Sequence, residues 1–122
     1  MKIKAVALAI ALSAFAMSLY GCCSPYYVSA KNEQALVDAV ELRDHRAAER
    51  LLKQGVSANC EGDPQGVPVL HRAAYLNDLK MVELLLSYGA DANKRDTFGD
   101  LPIDLAKDER VDALLRRKAK GQ

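Results

Sequence analysis

Shifting the chain against itself by 34 residues lays like on like: Ala39 on Ala73, Asp44 on Asp78, Leu51 and Leu52 on Leu85 and Leu86, Gly55 on Gly89, and Asn59 on Asn93. The register holds without a gap from Leu36 to Asn59. A fixed period of this length means a fold built from one small unit, stacked on copies of itself. A unit of this size cannot bury an apolar face alone, so its stability comes from its neighbours.

The matched residues mark the parts of the unit. Apolar residues recur at helical spacing: Leu36, Ala39 and Val40, then Ala47, Ala48, Leu51 and Leu52, then Ala73 and Ala74, then Met81, Val82, Leu85 and Leu86. Asp44 and Asp78 precede the second helix of each pair, where a carboxylate accepts a backbone N–H and favours the positive end of the helix dipole. Gly55 and Gly89 follow the Leu-Leu pairs, where a helix stops most easily on a residue tolerant of positive φ. Asn59 and Asn93 fall in the next loop, where their side chains are expected to stabilise turns. The unit is therefore two short antiparallel helices and a turn, and the fold class is all-α. The alanines allow close approach of neighbouring helices while leucines from the next layer fill the space.

The run Gly66-Val67-Pro68-Val69-Leu70-His71-Arg72-Ala73-Ala74, followed by Val82, Leu85, Leu86, Gly89, Ala90 and Asn93, resembles an ankyrin repeat, whose signature is T-P-L-H-x-A. The resemblance covers roughly Asn32 to Arg117 and implies an ankyrin repeat solenoid of about two and a half repeats. Pro68 and Val69 stand where threonine and proline are expected, so the hydroxyl that partners the motif histidine is missing. His71 is then left to find a backbone partner or to face solvent. The first repeat has Gln34-Ala35-Leu36-Val37 in place of the motif, as an end cap would. In the third, Gly99 to Ala106 keeps the opening, but Val111 follows Ala106 by five residues where Val82 follows Ala73 by nine. The loss amounts to about one helical turn, which preserves the buried face. With about three repeats needed for a stable array, the domain is expected to be marginal and stabilised by a partner or by association.

Ahead of the repeats, Lys2 and Lys4 precede the apolar run Ala5 to Met17, the layout of a secretory signal peptide. That run is short of the ~20 residues a bilayer crossing needs. Leu19-Tyr20-Gly21-Cys22 resembles the lipobox of bacterial lipoproteins, which implies cleavage after Gly21 and lipid on Cys22, although Tyr20 departs from the usual small residue. Two or more acyl chains hold a protein stably to a membrane, so anchoring without embedding is expected. Cys23, where some inner-membrane lipoproteins carry aspartate, favours the outer membrane facing the periplasm. The expected organisation is a signal peptide over 1–21, a lipid-anchored tether over 22–31, the repeat domain over 32–118 and a basic tail over 119–122.

The chemistry-bearing residues are few. The net charge of +1 becomes −1 when Lys2 and Lys4 leave with the signal, and a near-neutral surface argues against a nucleic-acid partner. Arg116-Arg117-Lys118-Ala119-Lys120 reads as a helix end whose cations favour the carbonyl terminus. His45, Cys60 and His71 lack zinc-type spacing, so neither metal nor cofactor is expected. No nucleophile or triad motif accompanies His71, which reads as architecture and leaves no catalytic residue; His45 reads as a surface residue. Cys60 offers an alternative function, an exposed thiol that makes the chain an accessory factor of an envelope redox or hydrolytic enzyme, although Glu61 and Asp63 would raise its pKa. A Cys23–Cys60 bridge remains open in an oxidising compartment.

By the same resemblance, a protein partner is expected at the turn tips and on the exposed side of the first helix of each repeat. Those positions are Pro64, Gln65 and Val67 around Gly66, Thr97, Phe98 and Asp100 around Gly99, and Tyr75 and Leu76 after Ala73-Ala74. Leu76 and Phe98 could equally pack inward against the short third repeat. The function expected is a lipid-anchored, non-catalytic binding module, in one version neutralising an effector directed at the envelope.

Overall fold

The computed structural model describes residues 25–61 and 64–121. The repeats lie in one compact unit, Lys31–Gln122. Among the described residues regular structure is entirely helical: α1 (Pro25–Glu41), α2 (His45–Lys53), α3 (Val69–Tyr75), α4 (Leu79–Ser87), α5 (Pro102–Leu105) and α6 (Glu109–Lys120). In chain order they form three successive helix pairs, and among these α3 packs with α4 and α5 with α6. Helix α4 packs against α2 on one side and α6 on the other, while α3 packs against α4 and α5. None of these helices is long and apolar enough to cross a membrane.

Most residues that the periodicity selects lie in the core, although Ala47 and Leu51 are only partly buried and Val37, Val69, Leu70 and Leu115 join it from outside that pattern. Leu36, Val40, Ala48, Val69, Ala73, Ala74, Met81, Val82, Leu85 and Val111 are fully buried. Burying a leucine or methionine side chain is worth about 1.5–3 kcal/mol, and the alanines let those side chains reach the adjacent layer.

The boundaries of each unit follow from its capping residues. Asp44 accepts the Ala47 N–H at 3.0 Å, and Asp78 accepts the Met81 N–H at 3.2 Å. At the other end, Gly55 N–H bonds to Leu52 O at 3.0 Å and Val56 N–H to Leu51 O at 3.1 Å, with Gly55 at φ 94°. Gly89 and Ala90 make the same pair of bonds to Leu86 and Leu85, both at 3.1 Å, with Gly89 at φ 89°. Both helices thus end in the two-bond glycine closure that satisfies orphan carbonyls.

The third layer is shortened as the spacing requires. Helix α5 has four residues where α3 has seven. Its linker is held from the layer before: the Asn77 side-chain oxygen accepts the Lys107 and Asp108 N–H groups at 2.7 and 2.8 Å. Asn77 itself sits at φ 53°, and Arg43, 34 residues earlier, at φ 56°. From that turn Arg43 donates to the Leu76 carbonyl at 2.7 Å, so each inter-helix turn grips the next.

Three expectations need adjusting. Helix α1 starts at Pro25, so Pro25 to Lys31 of the expected tether are helical. Helix α6 runs to Lys120, and Ala119, placed in the tail by the sequence, packs against the core. The asparagines do more than stabilise their own turns. Asn59 donates to Gly89 O at 3.1 Å and accepts Asp91 N–H at 2.7 Å, and Asn93 donates to Ala119 O at 3.2 Å. Each bonds to the following layer. The expected signal over 1–21, the expected lipidation site Cys22, and Cys23 lie outside the described residues.

Candidate functional site

Between the second and third layers the chain turns back sharply at residues 96–100. The Asp96 carboxylate accepts the Phe98 and Asp100 N–H groups, both at 2.9 Å, and Asp96 N–H bonds to Asp100 O at 2.9 Å. Gly99, at φ 88°, closes the turn with a bond to Asp96 O at 3.1 Å. A short local network of this kind fixes a tip without help from a packed core. The preceding tip is tied to it, since the Thr97 hydroxyl donates to Gln65 O at 2.9 Å. Gly66, at φ 67°, sits so close to Thr97 that an added Cβ would lie 3.0 Å from the Thr97 methyl.

His71 secures the base of the tip. Its ring is fully buried, and Nε2 donates to the Asp100 carbonyl at 2.9 Å, so the proton sits on Nε2. Nδ1 is buried with no hydrogen-bond partner. That is the consequence of Pro68, which starts α3 with no side-chain cap where a hydroxyl could have served. Of the two outcomes left open for His71, the backbone partner is the one adopted.

In front of His71 lies an open cavity of about 500 Å³. Val67, Tyr75, Leu76, Phe98 and Asp100 from the expected binding set all line it. Tyr75 is 62% and Phe98 76% exposed, whereas Leu76 is half-buried against the core. Inward packing therefore describes Leu76 but not Phe98. Pro64 and Gln65 are exposed at the first tip and outside the cavity lining, and Thr97 serves as the tie between tips. Sequence reasoning missed Arg72 and Glu41, an ion pair across layers at the cavity edge. Their separation of 31 residues gave no local signal.

Two other expectations are corrected. His45 is not simply a surface residue: Nε2 lies 2.8 and 3.0 Å from the two oxygens of Asp78, which is itself buried while capping α4. Cys60 is not an exposed thiol, because it is only 6% exposed and belongs to the apolar core. A thiol this buried is out of reach of a partner thiol or oxidant, which removes the ground for an exposed redox handle.

Comparison with known proteins gives one family. The model described as Ankyrin repeats (3 copies) matches residues 7–96. The human ankyrin repeat and SOCS box protein 6 is 40% identical over 87 residues, covering 70% of this chain and 20% of that protein. A putative ankyrin repeat protein of Pyrobaculum aerophilum is 37% identical over 76 residues, covering 62% of this chain and 28% of that protein. The mouse 2-5A-dependent ribonuclease is 34% identical over 76 residues, which is 62% of this chain and 10% of the enzyme. The match thus spans a fifth of the length of the first of these relatives and a tenth of the last.

Proposed function

Because the chain belongs to the ankyrin-repeat family, a family of protein-interaction modules, we propose that it grips a protein partner through the cavity between Tyr75 and Phe98 and catalyses nothing. The observation that carries this reading is the pair of exposed aromatic rings flanking a preformed apolar hollow on a bonded scaffold. Aromatic anchors of this kind dominate interface energies, and rigid tips limit the ordering cost of binding. Pro64 and Gln65 at the first tip extend the surface. The Lys2-to-Cys22 pattern supports display on a bacterial envelope, by lipid on Cys22, with the repeats facing the periplasm. A partner in that compartment could be an effector that the module neutralises, a version resting on fold analogy.

Crosslinked capture from envelope fractions tests the reading. Phe98→Ala and Tyr75→Ala should each reduce capture by about tenfold or more, the loss of a central anchor of ~2 kcal/mol. Capture that survives both would mean the partner sits elsewhere. In the same fractions Cys22→Ser should release the chain from the membrane; retention there would remove the anchor. Cells lacking the gene that show no sensitivity to any co-encoded or neighbouring effector would remove neutralisation.

A further inference from the structure

The cavity has one feature that an apolar anchor alone does not explain. Four charged residues line it, and the side chains of two of them, Glu41 and Arg72, are joined to each other. Asp96 spends one carboxylate oxygen on the Phe98 and Asp100 N–H groups. The Asp100 carboxylate, exposed at the tip, makes no hydrogen bond or ion pair among the described residues. A net negative charge therefore stands at the mouth of a hollow walled by Tyr75 and Phe98. A purely apolar occupant would strip water from that carboxylate and return nothing, which is costly. An acidic one would be repelled.

Resting on the protein-binding reading above, we infer that the side chain this cavity takes from its partner is an arginine. The guanidinium is planar, weakly hydrated and always charged, so it stacks on aromatic faces and pairs with a carboxylate through parallel N–H bonds. Its aliphatic stem suits the apolar Val67 and Leu76 that line the same hollow. Asp100 with the second oxygen of Asp96 receives the cation, and Tyr75 and Phe98 receive the plane. Lysine, a compact and strongly hydrated charge, would use the carboxylates but leave the rings less well covered.

The test uses the full chain, isotope-labelled, titrated by NMR with a short Gly-Ser peptide carrying one central arginine, and with the same peptide carrying neutral citrulline instead. The arginine peptide should shift the Tyr75, Phe98 and Asp100 amide signals saturably. The citrulline peptide, or the arginine peptide on Asp100→Asn, should bind about tenfold more weakly, the worth of one charge-assisted contact. Asp100→Asn leaves every described bond of the tip in place, and an unchanged melting curve confirms its fold. Equal binding of the two peptides, absence of binding by the arginine peptide, or full binding to Asp100→Asn overturns the inference. If in those cases Phe98→Ala still abolishes capture from envelopes, the protein-binding reading stands and only the arginine is wrong. Capture that survives both Phe98→Ala and Tyr75→Ala removes the two together.

Discussion

Leu85→Ala should lower the unfolding free energy of the repeat domain by about 3–5 kcal/mol, the usual cost of emptying a fully buried leucine site that cannot collapse. Leu85 is fully buried on α4, the helix that packs against α2, α3 and α6. A hollow there loosens all three layers together. Domains of this size hold a total of roughly 5–15 kcal/mol, and a stack of three layers sits low in that range. The variant should therefore be substantially unfolded under conditions where the parent is native. Urea titration followed by far-ultraviolet circular dichroism reads the change, with Leu42→Ala as the control. Leu42 is 80% exposed, and its truncation should stay within about 0.5 kcal/mol. A loss under about 1 kcal/mol for Leu85→Ala would show that the layers do not share one core.

His71→Ala should cost about 2–4 kcal/mol by removing a buried ring together with its bond to the Asp100 carbonyl. The loss should be felt first at the tip. Hydrogen exchange at the Phe98 and Gly99 amides should accelerate before that of the α4 core amides, since the tip has few apolar contacts of its own. Pro68→Thr should act in the opposite direction. A hydroxyl at that position can donate to the orphaned Nδ1 and cap the first turn of α3, gaining about 1 kcal/mol. A histidine acting on a substrate would give another pattern: His71→Ala would silence an activity while leaving tip exchange unchanged.

What the sequence made legible is whatever depends on neighbours along the chain. Asp44 and Asp78 cap helices because the carboxylate and its N–H partner lie three residues apart. Gly55 and Gly89 close helices for an equally local reason, and the missing turn of the third repeat could be counted from the Ala106 to Val111 spacing. The exposed placement of Tyr75 followed from the repeat resemblance, whereas that of Phe98, left open between solvent and the third repeat, was decided by the stack. What stayed hidden depends on how the layers stack. His45 looks like a surface residue until Asp78, 33 positions away, comes within 2.8 Å. Asn59 and Asn93 are loop residues in isolation and inter-layer bonds in the stack. Cys60 follows a turn residue, yet the folded domain buries it. The Arg72–Glu41 pair at the cavity edge has the same cause.

The bonds that join the layers also determine how the protein would respond to force. Arg43 to Leu76, His45 to Asp78, Asn59 to Gly89, His71 to Asp100 and Asn77 to Lys107 each connect one layer only to the next. Tension applied between the two ends of the domain would pass through the middle layer. The molecule would then yield first at a terminal layer, and the remaining pair of layers, stripped of a neighbour, would give way together.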